Sequence, residues 1–182
     1  MTLPIALDPA LQLALRFALA AVLLQAASHK LGTIAGFAAS IADYRLVPER
    51  LSYPAAVTFV AAEIAIGCTL LLPATGAMPA VAASGLIALY SLAVAANLAR
   101  GRRQIDCGCA RPGVPQPLRG ALLVRNAALV AAAAACALPS EIRSLVWIDA
   151  LTIAGGMAAL WLAYTAIETA LSNAALLGTL RT

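Results

Sequence analysis

Charge is scarce in this chain. Only 11% of its 182 residues are Asp, Glu, Lys or Arg, against 63% that are hydrophobic. A soluble domain carries roughly a quarter charged residues, so a water-soluble globule is excluded. Aromatic residues are scarcer still, at 5%. The net charge of +4 therefore comes without the aromatic-interleaved basic surface on which bases stack, and no nucleic-acid partner is expected. Four scattered cysteines are too few to staple a disulfide scaffold. The one histidine, His29, closes an apolar block and reads as an interface residue. No Lys or Arg precedes Arg16, so the N-terminus lacks the basic leader of a cleavable signal peptide.

What the chain does contain is long apolar blocks. About 20 apolar residues span a bilayer's hydrocarbon core. Five such spans are expected, at about 9–28, 54–72, 78–98, 118–138 and 145–167, with a polar loop over 99–117. Lipid offers the backbone no hydrogen-bond partner, so all five must be helices. The expected fold is an all-α membrane bundle of five transmembrane helices, four of them forming the core, in a single integral domain over residues 1–182. Small residues, as in Ala131 to Ala135 and Gly155-Gly156, let such helices approach closely. Between the first two spans, Phe37, Ile41 and Tyr44 share a helical face that Ser40 and Asp43 avoid. That pattern suits a short helix lying in the membrane interface; a connecting loop with an aromatic anchor is the alternative.

The chemistry gathers in one loop, Arg100-Gly-Arg-Arg-Gln-Ile-Asp-Cys-Gly-Cys109. Cysteines two apart close a ring only with strain, and a strained disulfide is readily reduced. Gly108 tolerates the backbone angles such a ring demands. Arg100, Arg102, Arg103 and Arg111 favour the reactive thiolate, while Asp106 opposes it. Pro112, Pro115 and Pro117 keep the loop extended. The bland alternatives are a structural or incidental pair, or a metal site left half built by two thiols without a nearby His; no metal is expected.

Charges also lie inside the spans. Glu63 falls mid-span, where a carboxylate is expensive unless paired or neutral, and Gly67 one turn on lets another helix come close. Arg125 is its expected partner and Arg16 the second candidate. Such a pair is either a helix clamp or a proton-accepting carboxylate near a quinone or thiol site. Cys68 and Cys136 are expected as core-packing residues, not as a disulfide.

These residues carry a resemblance. Ala62-Glu63-Ile-Ala-Ile-Gly67 followed by Leu70-Leu-Leu, Ser28-His29-Lys30-Leu31, and Asp43-Tyr-Arg-Leu-Val-Pro48 resemble the first two helices and following loop of the DoxX-like membrane proteins. Asn97-Leu-Ala-Arg-Gly-Arg-Arg-Gln-Ile-Asp-Cys-Gly-Cys109, with Arg125-Asn126 opening the next helix, is similar to the methylamine utilisation protein MauE family. The resemblance implies a multi-pass protein of the bacterial inner membrane. Its implied task is maturation of the small (β) subunit of methylamine dehydrogenase or a related amine dehydrogenase, a periplasmic subunit dense in disulfides. The implied partner is a membrane-anchored thioredoxin-like protein. The core is also similar to vitamin K epoxide reductases and bacterial disulfide-forming proteins, which implies a quinone as electron acceptor. Carried over, Cys107 and Cys109 form the redox pair, supported by Arg102, Arg103, Glu63 and Arg125.

Two further readings stand beside this one. A non-enzymatic assembly scaffold would need the loop but not its thiols. A quinone-linked subunit or small-solute transporter is the other; the sequence has no broken helix pair or inverted repeat of the kind transporters use. Orientation poses a conflict. Lys30, Arg45, Arg50, Arg100, Arg102, Arg103, Arg111, Arg119 and Arg181 fall on the loop's side of the membrane, here side B, and only Arg143 on side A. The positive-inside rule puts side B in the cytoplasm, whereas disulfide chemistry belongs to an oxidising compartment. Arginines placed for chemistry beside the cysteines weaken the count, and the loop is expected on the periplasmic side.

Overall fold

The computed structural model describes residues 6–108 and 116–179, with side chains described through 174. Each apolar block becomes a helix: α1 (Pro9–Gly32), α2 (Ile34–Tyr44), α3 (Ser52–Leu70), α4 (Met78–Ala99), α5 (Gly120–Cys136) and α6 (Trp147–Thr179). Single 3-10 turns at Glu49–Leu51 and Pro73–Thr75 lead into α3 and out of it. Among the described residues there is no strand, only two isolated bridges. Among the described residues, four helices are long and apolar enough to cross a membrane: α1, α3 with its leading turn, α4, and α6 as far as Ala174. The fifth expected span, at 118–138, is the shorter helix α5 of 17 residues. It rises about 26 Å, a little less than a hydrocarbon core of about 30 Å.

The central core draws on four helices. Leu19, Ala20 and Leu23 of α1 meet Leu70 of α3, Ala80 and Ala83 of α4, and Ala133 and Cys136 of α5. Small residues set these distances. A Cβ at Gly67 would lie 2.8 Å from Leu24 Cγ, so a larger residue there would force Leu24 aside where α3 closes on α1. α6 lies outside this core, packed along α1. A Cβ at Gly156 would come within 3.1 Å of Ala14 Cβ. The interfacial segment is a helix, as one of the two sequence readings had it. α2 buries Phe37, Ala38 and Tyr44 and packs against α3.

Two sequence expectations need correction here. Cys136 is buried in the core, but Cys68 is exposed on the outer face of α3. Five residues along a helix turn it about 140° away from Glu63, and Glu63 faces inward. Arg16 is buried, but among the described residues it pairs with no carboxylate. Its guanidinium donates to the carbonyls of Leu70, Leu72 and Gly76 and to Thr75 Oγ1. It thereby satisfies the open carbonyls at the end of α3, where the helix dipole also favours a cation.

Side A is closed by a second arginine. Asp8 caps α1, accepting from the backbone N–H of Ala10 and Leu11. Arg143 donates to both Asp8 oxygens, at 2.8 and 3.1 Å. It also donates to both Asp149 oxygens, at 2.8 and 2.9 Å, so one guanidinium ties the starts of α1 and α6 together. The hydrogen bonds from Arg143 hold the Asp8 carboxyl below its ordinary value of 3.8, and its carboxylates hold the Arg143 guanidinium firmly protonated. A carboxyl depressed in the folded state stabilises above its unfolded value and loses that contribution as pH falls through its folded value. Amide exchange around residues 7–11 and 143–150 should therefore quicken below pH 3.8 while the four-helix core stays protected. Arg143→Ala should produce the same local pattern at neutral pH.

Candidate functional site

The site is built where α4 ends. Gly101 takes φ +73°. The N–H of Gly101 returns to Leu98 O, and that of Arg102 to Asn97 O. This is the Schellman arrangement, in which a left-handed residue closes the helix. The Arg102 side chain then donates to Asn97 Oδ1 and Tyr44 O, fastening the start of the loop to the last turn of α2. The Arg103 side chain is exposed, and its carbonyl accepts from Leu118 N.

The loop's two arms are stitched together. Cys107 N donates to Gln116 O at 2.9 Å, beside a bridge between Asp106 and Pro117. Asp106 Oδ1 accepts from Gly108 N at 3.1 Å and Gln116 N at 3.4 Å, an Asx turn that holds the Cys107–Gly108 corner. Asp106 thus serves as the pin of the loop. Gly108 has φ +73°, and a Cβ there would stand 3.1 Å from the Phe37 ring. The positive φ favours glycine and a Cβ would press on the ring, so the corner rests directly on α2. Cys107 is buried among Tyr44, Val94, Ile105, Leu118 and Leu122, and its carbonyl accepts from Tyr44 Oη. Cys109 and residues 110–115, including Arg111, Pro112 and Pro115, lie outside the described residues.

Beneath this corner lies a cavity of about 180 Å³ whose walls include Phe37, Ile41, Phe59, Tyr90, Lys30 and Cys107. Lys30 is 3% exposed and Glu63 1%, and the two form a buried ion pair. Tyr90 Oη donates to the same Glu63 oxygen at 2.9 Å. The Lys30 ammonium lies 4.6 Å from the centre of the Phe37 ring and 4.7 Å from that of Tyr90, so two aromatic faces also hold the charge. The second carboxylate oxygen, Glu63 Oε2, is buried with no hydrogen-bond partner among the described residues.

The expected Glu63–Arg125 pair is thus replaced by two separate pairs. Glu63 binds Lys30, while Arg125 binds Glu168 of α6 and Asn126 Oδ1. α1 packs against α3 on one flank and α6 on another, and each carboxylate meets the cation on its own flank. Sequence reasoning left Lys30 among the surface charges because the first span was expected to end at Ser28. The helix instead runs on to Gly32 and α2 folds back over it. Glu168 was missed because it falls one residue past the expected end of the last span, whereas α6 continues to Thr179. Tyr90 gave one signal, as the single aromatic residue of the 78–98 block.

Fold and site together define a polytopic helical membrane protein with a cysteine-bearing loop docked over a buried charge cluster. Residues 8–139 match the family described as methylamine utilisation protein MauE, and the chain belongs to that family. It is 43% identical over 135 residues to the methylamine utilization protein MauE of Paracoccus versutus, covering 73% of each chain. It is 41% identical over 126 residues to that of Methylorubrum extorquens, covering 69% of this chain and 68% of the relative. The MauE of Methylophilus methylotrophus is 32% identical over 163 residues, 88% of this chain and 86% of that protein. No solved structure matches the chain.

Removing one partner of a buried ion pair strands the other charge, which typically costs about 3–5 kcal/mol. Glu63→Leu should therefore destabilise the bundle by about that amount, read as unfolding in mixed micelles. Lys30→Met combined with Glu63→Leu should recover most of the loss. Equal destabilisation of single and double variants would show that the two charges do not compensate each other.

Proposed function

We propose that the protein supports maturation of the β subunit of methylamine dehydrogenase, or of a related amine dehydrogenase, by thiol–disulfide exchange through Cys107 and Cys109. In this reading the loop lies on the periplasmic face of the bacterial inner membrane. Membership of the MauE family supports the methylamine context. The observation that carries the chemistry is the corner itself. Cys107 is held by its backbone on both sides, and the residue between the two cysteines is a glycine in the left-handed region, pressed against Phe37. A short-spaced cysteine pair needs such a backbone to close and reopen its ring.

Two client thiols become one client disulfide by reducing the disulfide of a membrane-anchored thioredoxin-like partner. That partner, now a dithiol, attacks the Cys107–Cys109 disulfide through a mixed disulfide. The partner's own disulfide re-forms, and Cys107 and Cys109 are left as two thiols. Arg102 and Arg103 enter as cations near the pair that favour its thiolate form, Arg102 while also anchoring the loop to α2.

Cys107→Ser and Cys109→Ser should each abolish formation of the disulfide-bonded β subunit, seen on non-reducing gels, while the variant proteins stay in the membrane at normal amounts. Normal maturation in the double serine variant would establish the scaffold reading instead.

A further inference from the structure

We infer that the outward face at the base of the loop is a docking surface for an acidic, water-soluble protein domain. This goes beyond the exchange reading, since docking by charge needs no thiol and serves an oxidant and a scaffold alike.

The chain has eight acidic residues, and nearly all are placed elsewhere. Asp8 and Asp149 hold Arg143, Glu63 holds Lys30, and Glu168 holds Arg125. Glu141 lies on side A, its N–H bonded to Leu7 O. Asp43 and Glu49 accompany Arg45 and Arg50, which leaves the stretch between α2 and α3 locally neutral. Asp106 alone remains to offset Arg100, Arg102, Arg103, Arg111 and Arg119, and its Oδ1 is turned to the backbone N–H groups of Gly108 and Gln116. Arg102 is half-buried and bonded to Asn97 and Tyr44. Arg100, Arg103 and Arg119 are exposed, and among the described residues no carboxylate pairs with them.

These three arginines are presented from an ordered backbone. The turn at Gly101 fixes the end of α4 beside Arg100. Leu118 N donates to Arg103 O at 3.1 Å, which brings Arg119, the next residue, close to Arg103 across the two arms of the loop. Like charges gathered without a counter-charge repel one another, and a partner's carboxylates relieve that repulsion on docking. Complementary potentials of this kind set the rate and orientation of association.

The surroundings decide between an acidic protein and anionic lipid. A segment seated in the lipid interface shows apolar side chains beside its basic ones. Residues 45–53 do so, where Arg45 and Arg50 are interleaved with exposed Leu46, Val47, Leu51 and Tyr53. Between Arg100 and Ala121 no large hydrophobic side chain is exposed among the described residues, and Ile105, Cys107 and Leu118 are turned inward. The loop base therefore faces water, and the face that fits it is acidic and soluble.

The test places a photoreactive phenylalanine analogue at Gln104, exposed beside Arg103, in cells grown on methylamine, and maps the crosslinked peptides. The expected product is a protein segment rich in Asp and Glu. Arg103→Glu with Arg119→Glu should cut its yield roughly tenfold, and replacing the partner's crosslinked carboxylates by Lys should restore it. Arg103→Gln with Arg119→Gln should act in the same direction and serves if the reversed pair does not reach the membrane. Arg50→Glu, outside the surface, should leave the yield unchanged. No crosslink, crosslinks to lipid or to a segment without excess acid, or a yield that both double variants leave intact or that Arg50→Glu lowers equally, would overturn the docking surface. So would a crosslink that disappears in the Cys107→Ser, Cys109→Ser protein, because capture would then be by thiol and not by charge. A crosslink that persists in that protein while maturation stays normal would overturn the exchange reading alone.

Discussion

A lysine that the bundle does not let reach water organises this end of the protein. Lys30 sits in the last turn of α1, where an ordinary lysine would extend its stem to the membrane surface. Here α2 turns back across the helix end, and the ammonium is held by Glu63, Tyr90 and the Phe37 ring. Burying a charge is tolerable only with such company. Because the cluster draws on α1, α2, α3 and α4, it fixes how those four helices meet on side B. Phe37 sets α2 against that cluster, and α2 also forms part of the cavity wall and the platform on which the cysteine corner rests.

The loop depends on that platform at three points. Arg102 binds the Tyr44 carbonyl, Tyr44 Oη binds the Cys107 carbonyl, and Gly108 lies on Phe37. All three contacts are to α2. Cys107 is therefore tied through α2 to the buried charges, although the two belong to separate stretches of sequence. On side A the arrangement is simpler. Arg16 caps α3, and Arg143 joins the starts of α1 and α6. α6 itself is held on the bundle by close packing at Gly156 and by the Arg125–Glu168 pair.

Much of the architecture was legible because membrane spans announce themselves by length. An apolar run of about 20 residues admits only one secondary structure. α2 was legible in part, since the Phe37, Ile41 and Tyr44 spacing is helical, but its burial was not. The cysteine loop stood out as the one polar, arginine-rich interruption, and Gly108 was recognised for the backbone freedom that its φ of +73° requires. Charge pairing was not legible. Which carboxylate meets which cation depends on how far each helix continues past its apolar run, and on what folds over its end. Lys30 and Glu168 both lie just beyond the expected span ends, and both are held inside. Cys68 shows the same limit on a single helix, where its outward face follows from the inward direction of Glu63. Asp106 was read as a charge opposing thiolate formation, while its geometry is that of a turn-forming pin.

The redox proposal stands on a labile Cys107–Cys109 disulfide on the oxidising side of the membrane. The most direct measurement is labelling in intact cells with a membrane-impermeant thiol reagent, on a Cys68→Ser, Cys136→Ser background, before and after mild reduction. No labelling before reduction, and labelling of the pair after it without lysis, is the expected result. Labelling that appears only when the cells are broken would place the loop in the cytoplasm and rule out direct exchange with a periplasmic partner.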